Sequence, residues 1–139
     1  MAVYLLDTTT VTHLQRGHPR VTAGLTAHAG DTVGVTSVTV DESLGGWYSL
    51  LRKAKTPTDE ARAHALLADT VTFLSRFPIF PLTEQALDRF DQLVRLKLNV
   101  GRMDLRIAAV ALEIGATVVT NNAVDFGRVP GLVWVDWSV

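Results

Sequence analysis

The 139-residue sequence contains no cysteine, which excludes disulfide bonds, thiolate metal sites and a cysteine nucleophile. Its formal net charge is only −1, so any contact with nucleic acid would need a local basic patch. It also lacks an apolar run of about 18 residues, the minimum for a membrane-spanning helix, because Arg106 and Glu113 interrupt the best candidate. No basic segment followed by a long apolar run marks a signal peptide. We therefore expect a soluble, cytoplasmic protein without a membrane partner.

Apolar segments are abundant, since 47% of the residues are hydrophobic. A chain of this length most often forms one domain with a sizeable core, and we expect a single domain over residues 1–139. Short β-branched or continuously apolar runs alternate with segments of helical periodicity, which is typical of an α/β fold with a parallel sheet and helices on both faces. The predicted strands are 3–6, 32–35, 77–82, 116–119 and 132–135. The predicted helices are 10–15, 20–29, 38–53, 57–77, 84–98 and 102–114.

Capping residues mark several of the predicted helix ends. Gly115 follows the last apolar position of the 102–114 helix, where a left-handed cap is expected. Threonines 8–10 and Ser37 are predicted N-caps of the first and third helices. Thr56 precedes Pro57, and Thr83 precedes another helical segment, so both are predicted to cap the helices that follow them.

Four acidic residues fall directly after predicted strands or at helix starts: Asp7, Glu42, Asp104 and Asp125. In open parallel sheets, ligands bind at the carboxyl edge of the strands, and these positions converge on that edge. Closely spaced carboxylates repel one another unless a cation is present, and oxygen ligands suit Mg²⁺ or Mn²⁺. Such a site supports metal-assisted hydrolysis of a phosphodiester without a side-chain nucleophile. The alternative interpretation is that Asp7 and the other three are ordinary helix-capping acids.

Four segments resemble the PIN-domain nucleases, and in particular the VapC-type ribonuclease toxins of type II toxin–antitoxin pairs. They are residues 4–8 (YLLDT), 36–46 (TSVTVDESLGG), 104–109 (DLRIAA) and 115–126 (GATVVTNNAVDF). Each segment alone is weak evidence, but their order and separation extend over nearly the whole chain. The resemblance implies one PIN-like domain, an α/β/α sandwich around a five-stranded parallel sheet.

The resemblance also implies an Mg²⁺-dependent endoribonuclease, with Mn²⁺ able to substitute. Asp7, Glu42 and Asp104 match the catalytic acids and metal ligands of that family. The family's fourth acidic position lies in the turn after the fourth strand, where this chain has Asn122. We therefore expect Asp125 to serve as an outer catalytic acid, with Asn122 in contact with water or phosphate.

Further substrate contacts are expected from Thr8, Arg16 and Arg102, since arginine matches phosphate geometry. Arg106 points away from Asp104, and a surface or interface ion pair is its expected role. Asp41 is expected to be a bystander, because successive helical residues point about 100° apart.

The resemblance implies RNA as the substrate, a cognate VapB-type antitoxin as the partner, and a homodimer. The chain departs from the family at Thr9, where relatives carry Asn or Asp, and at Asn122. A hydroxyl at Thr9 is still expected to orient Asp7. These departures keep a second hypothesis open: a catalytically impaired PIN domain that acts as an RNA- or protein-binding module.

Two other folds with an acid after the first strand fit less well. A haloacid-dehalogenase-like phosphatase requires a second aspartate two residues after Asp7, where this chain has Thr9. A receiver-like signalling module requires an aspartate after its third strand, and residues 81–84 (PLTE) fit that requirement poorly.

Overall fold

The computed structural model describes residues 2–139 as one α/β/α domain. The strands are β1 (Val3–Leu6), β2 (Thr32–Thr36), β3 (Ile79–Phe80), β4 (Thr117–Val119) and β5 (Val133–Val135). The helices are α1 (Thr8–Gln15), α2 (Pro19–Ala27), α3 (Ser37–Lys53), α4 (Pro57–Leu74), α5 (Glu84–Arg95), α6 (Arg102–Ile114) and α7 (Ala123–Phe126).

All five strands are parallel, in the order β3-β2-β1-β4-β5. The central strand β1 pairs with β2 through Tyr4 and Val33 and with β4 through Tyr4 and Thr117. A strand in the middle of such a sheet is buried on both faces, which explains its continuous apolar sequence. The predicted five-stranded parallel sheet is confirmed.

Successive residues of the central strands face two separate cores. Leu5 and Val118 pack with α5 and α6 on one face of the sheet. Leu6 and Val119 pack with α1, α2 and α4 on the other. All four side chains are fully buried, as the alternation of side chains along a strand requires. The prediction of helices on both faces is therefore confirmed.

The third strand is short and lies at one edge of the sheet, as its flanking prolines suggested. Only Ile79 and Phe80 pair with β2, and the backbone N–H of Val35 also donates to the carbonyl of Pro78 at 3.0 Å. A Cβ atom at Gly34 would lie 2.7 Å from that carbonyl oxygen. Glycine at this position thus allows β3 to approach.

Two predicted N-caps are wrong. The helix α3 is capped by Thr36, whose hydroxyl accepts from the N–H of Thr39, and not by Ser37. The Ser37 hydroxyl accepts instead from the N–H of Leu82 at 3.0 Å, which ties the chain after β3 to the start of α3. The helix α1 begins at Thr8 rather than at residue 10, and its cap is Asp7 instead of a threonine.

Other helix-end predictions are confirmed, with shifts in some boundaries. Thr56 and Thr83 cap α4 and α5 through their hydroxyls, and Gly115 ends α6 with a φ of 71°. The helix α5 stops at Arg95 rather than at residue 98, because Lys97 has a positive φ of 52° that ends helical pairing. The helix α4 likewise stops at Leu74 instead of residue 77, and α2 starts one residue early and ends two residues early. The four-residue helix α7 was not predicted.

None of the helices formed by residues 2–139 combines the length and apolar character needed to cross a bilayer.

Candidate active site

The four predicted acids lie at the carboxyl edge of the sheet. Asp7 follows β1 directly, Glu42 lies in the second turn of α3 after β2, and Asp125 lies in α7 after β4. Asp104 lies in the first turn of α6. Because β1 has β2 on one side and β4 on the other, this edge contains the point where the strand order reverses, which is the usual ligand-binding position in such sheets.

Asp104 is the residue whose electrostatic environment is most unusual. Burial, and after it the neighbouring charges of Asp7, Glu42 and Asp125, together raise the pKa of its carboxyl from 3.8 to about 6. The structure therefore brings the other three predicted acids within electrostatic range of Asp104. Burial and neighbouring negative charge disfavour the ionised form of Asp104, so its carboxyl attracts a proton or another cation.

Asp7 is held firmly at the end of β1. Its side chain is only 4% exposed, and its Oδ1 accepts from the backbone N–H of Thr10 at 2.9 Å. Its backbone N–H donates to the carbonyl of Val119 at 3.1 Å, and the Thr10 hydroxyl donates to the same carbonyl at 2.9 Å. The expectation that the Thr9 hydroxyl orients Asp7 is wrong, since the backbone of Thr10 does so and Thr9 is exposed.

Glu42 is linked to Asp7 through the first residue of α1. The Thr8 hydroxyl donates to Oε1 of Glu42 at 2.6 Å, and it lies 3.4 Å from the hydroxyl of Thr39. Glu42 and Thr8 both line a small cavity of about 240 Å³ between α1 and α3. Thr8, predicted to bind substrate, thus holds a carboxylate in this structure.

Asp125 is engaged by two other side chains. Its Oδ2 accepts from the Asn122 amide at 2.9 Å, and its Oδ1 lies 3.4 Å from Nη1 of Arg128. That same Nη1 donates to the carbonyl of Asn99 at 2.9 Å. Both carboxylate oxygens of Asp125 are therefore in contact with protein donors.

The two arginines predicted to contact substrate are both exposed but lie in different places. Arg102 begins α6, two residues before Asp104. Arg16 follows α1 and lines a cavity of about 200 Å³. That cavity shares Thr12, Gln15 and Trp47 with the one beside Glu42, so the two adjacent cavities form a groove from Glu42 to Arg16.

The four carboxylates are chemically suitable ligands for a hard divalent cation. Their side chains are not, however, arranged as a metal site in this structure. Among residues 2–139, no three acidic or histidine side chains are gathered closely enough to hold a metal ion. Carboxylate oxygens are nevertheless the preferred ligands of Mg²⁺ and Mn²⁺, and the charges of Asp7, Glu42 and Asp125 contribute, after burial, to the raised pKa of Asp104.

Comparison with known proteins decides the family. The family model described as PIN domain matches residues 4–132, which include all four acids. The chain belongs to the PIN domain family.

Full-length relatives of this PIN domain include named ribonucleases. Ribonuclease VapC1 of Haemophilus influenzae (strain R2866) is 26% identical over 141 residues, covering 98% of each chain. Ribonuclease VapC2 of Rickettsia felis is 27% identical over 144 residues, again covering 98% of each. Among solved structures, DNA-bound VapBC from Salmonella typhimurium aligns with a TM-score of 0.78, 27% identity and 99% coverage of both chains. The resemblance inferred from the sequence is confirmed.

The PIN domain also contains site residues that the sequence did not reveal. Arg128 contacts Asp125 and the carbonyl of Asn99, a contact across 29 residues that no local pattern indicates. Thr10 anchors Asp7, and its only signal was the run of threonines after β1. A cavity of about 570 Å³ lies near the amino end of β2 beside Asp31 and Val33, and none of the four site acids lines it.

Proposed function

We propose that this PIN domain is a metal-dependent endoribonuclease that hydrolyses RNA phosphodiesters and acts as the toxin of a toxin–antitoxin pair. The observation that carries the proposal is the convergence of Asp7, Glu42 and Asp125 on Asp104, whose pKa is raised to about 6 by burial and by the charges of those three acids. The likeness to named VapC ribonucleases over nearly the full chain supports the choice of RNA as substrate.

Mg²⁺ is the proposed cofactor, with Mn²⁺ as a substitute, and Asp7, Glu42 and Asp104 are the residues that would hold it. Such an ion lowers the pKa of a bound water and offsets negative charge on a reacting phosphate. No cysteine is present, and metal-assisted hydrolysis requires no side-chain nucleophile. Water is therefore the proposed nucleophile.

The protein's own contribution is to position carboxylates and substrate. The Thr10 N–H fixes one oxygen of Asp7, and the Thr8 hydroxyl fixes one oxygen of Glu42. Hydrogen bonds of this kind orient ligands and increase metal affinity. Arg102, at the start of the helix that carries Asp104, and Arg16, along the groove, are the proposed phosphate contacts. Asp125 and Asn122 support the site from outside, since they bind each other.

The cleavage reaction itself is the direct test. Purified protein is expected to cleave single-stranded RNA in the presence of Mg²⁺ or Mn²⁺. Cleavage should stop when EDTA is added and should resume when the ion is restored. RNA labelled at its 5′ end and resolved on denaturing gels would show internal cuts. Cleavage that is insensitive to chelation would contradict the metal-dependent mechanism.

The second hypothesis, a catalytically impaired binding module, rests on Thr9 and Asn122. The structure shows that Asp7 does not depend on Thr9 for its orientation, because Thr10 supplies the hydrogen bond. It also shows the Asn122 amide bound to Asp125. RNA binding without cleavage under any divalent ion would favour this hypothesis over the nuclease.

The proposed partners are a cognate VapB-type antitoxin and a second copy of the chain. The solved VapBC structures from Rickettsia felis and Salmonella typhimurium, each 27% identical to this chain, support the antitoxin. Expression of the chain alone is expected to slow growth, and co-expression of the small reading frame next to its gene is expected to restore it. Growth curves check this, with the Asp104→Asn variant as the control that should be harmless. Harmless expression of folded wild-type protein would contradict the toxin assignment.

A further inference from the structure

A second cavity lies beside the carboxylates and is not used by the mechanism above. It measures about 400 Å³ and is lined by Ser37, Val38, Asp41, Leu82, Met103 and Arg106. Asp41 and Met103 each immediately precede one of the catalytic candidates, Glu42 and Asp104. The walls of this cavity are therefore the same two helices, α3 and α6, that carry those acids. Its volume falls within the range of small-ligand pockets.

Arg106 presents unused hydrogen-bond donors to this cavity. Its guanidinium lies over the ring of Phe90, 4.5 Å from the centroid, and its Nη1 contacts Sδ of Met103 at 3.7 Å. A thioether is a weak acceptor, and a guanidinium has five N–H donors. The two ion pairs formed within residues 2–139 involve Arg89 and Arg128, so Arg106 has no carboxylate partner in that range. The surface ion pair expected for it from the sequence does not form within residues 2–139.

The other polar groups of the cavity complement Arg106. Asp41 is exposed and has no ion-pair partner within residues 2–139, so its carboxylate is available as an acceptor. Val38, Leu82 and Met103 provide apolar walls. A planar group with acceptors on one edge and donors on the next, and with apolar faces, matches this arrangement. Asp41, expected to be a bystander, thereby gains a role distinct from that of Glu42.

We propose that this cavity binds a guanine base of the RNA next to the cleaved phosphodiester, with Arg106 and Asp41 reading its edges. The inference rests on the proposed nuclease function and names its base preference. Arginine pairs with O6 and N7 of guanine, and a carboxylate accepts from its N1–H and N2 amino group. Unstacked bases of single-stranded RNA are read in this way by protein side chains.

Guanine fits better than the other bases because of the order of its groups. Adenine places an amino donor beside N7, which would face the donors of Arg106. Uracil offers only one N–H, flanked by two carbonyl acceptors, and cytosine offers only its amino group to Asp41. Guanine alone offers two adjacent acceptors and two adjacent donors.

The test compares short single-stranded RNAs that carry guanine, adenine, inosine or 7-deazaguanine at each position flanking the cleaved bond. We expect the wild-type protein to cleave the guanine substrate about tenfold faster than the adenine one, the order of discrimination for one good bidentate contact. Arg106→Gln should abolish this ratio. Arg20→Gln and Asp91→Asn, at exposed positions on other helices, should retain it.

The base analogues assign each contact separately. Inosine lacks the N2 amino group, so it should slow the wild-type protein but not Asp41→Asn. 7-Deazaguanine lacks N7, so it should slow the wild-type protein but not Arg106→Gln. If both variants respond to the analogues as the wild type does, the inference is wrong even though the nuclease assignment stands.

If no RNA cleavage is seen, guanosine binding tests the guanine site independently of the proposed nuclease function. Guanosine and adenosine would be titrated into the full chain and followed by amide NMR shifts at Val38 and Met103. Guanosine binding without cleavage would remove the nuclease function and retain the guanine site. Equal cleavage of all four substrates, or the absence of any guanosine-specific shift, would overturn the guanine site.

Discussion

Replacement of Asp104 by asparagine is expected to abolish metal-dependent RNA cleavage while making the protein more stable. Activity should fall by at least about 100-fold, the order seen when a group that stabilises transition-state charge is lost. The gain in stability follows from electrostatics. Burial and the charges of Asp7, Glu42 and Asp125 raise the pKa of Asp104 from 3.8 to about 6, so the ionised carboxylate opposes folding.

The sign of this effect fixes its dependence on pH. A raised pKa contributes stability that is fully present below about pH 4 and is lost as the pH rises through about 6. Two pKa units correspond to about 3 kcal/mol, and solvent screening of a half-buried group reduces this to about 1–2 kcal/mol. Urea unfolding without divalent ions should show that gain for Asp104→Asn at about pH 8 and its disappearance near pH 4.

Two further measurements complete the Asp104 test. Asp91→Asn, at an exposed position of α5, is the matched control and should change neither activity nor its pH profile. Added Mg²⁺ should stabilise the wild-type protein more than the variant, because a ligand that binds the folded state raises its stability. An Asp104→Asn protein that is less stable than the wild type at about pH 8 would contradict the electrostatic picture.

Two replacements of Asp7 are expected to distinguish its contribution to stability from its contribution to catalysis. Asparagine is as good an N-cap as aspartate, so Asp7→Asn should keep the hydrogen bond from the Thr10 N–H while removing the charge. Cleavage should fall by at least about 100-fold. Asp7→Ala should lose activity to the same degree and unfold with a free energy about 1 kcal/mol lower than that of Asp7→Asn.

Comparing the two uncharged variants isolates the cap, because the relief of charge repulsion is the same in both. Thermal and urea unfolding give the stability difference, and the RNA gel assay gives the rates. If Asp7→Asn retained wild-type cleavage, Asp7 would be a helix cap alone, which was the alternative interpretation of this residue.

The fold was predictable from sequence because its signals are local or follow from topology. Gly115 ends a helix by a glycine preference that needs no tertiary information. The convergence of Asp7 and Asp104 follows from the rule that parallel strands share one carboxyl edge. The predictions were wrong where a tertiary contact decides between residues with equal local preferences. Thr36 and Ser37 can both cap a helix, but the Ser37 hydroxyl accepts a hydrogen bond from the N–H of Leu82 and leaves the cap to Thr36.

The finer parts of the site were less predictable for the same reason. The helix α7 has four residues, too few for periodicity, although an asparagine followed three residues later by an acid resembles a capping signal. The contact between Arg128 and the carbonyl of Asn99 depends on how two distant loops meet. Similarly, the position of Arg106 over the Phe90 ring, without an ion-pair partner among residues 2–139, depends on how α5 packs against α6.

The hydrogen bond from the Asp7 N–H to the carbonyl of Val119 joins two segments that are synthesised at different times. Asp7 is synthesised well before Asp104 and before Val119, which ends β4. A nascent chain that has not yet reached β4 therefore lacks the carboxyl edge that brings these acids together. This order of synthesis delays assembly of the proposed site until β4 has been made.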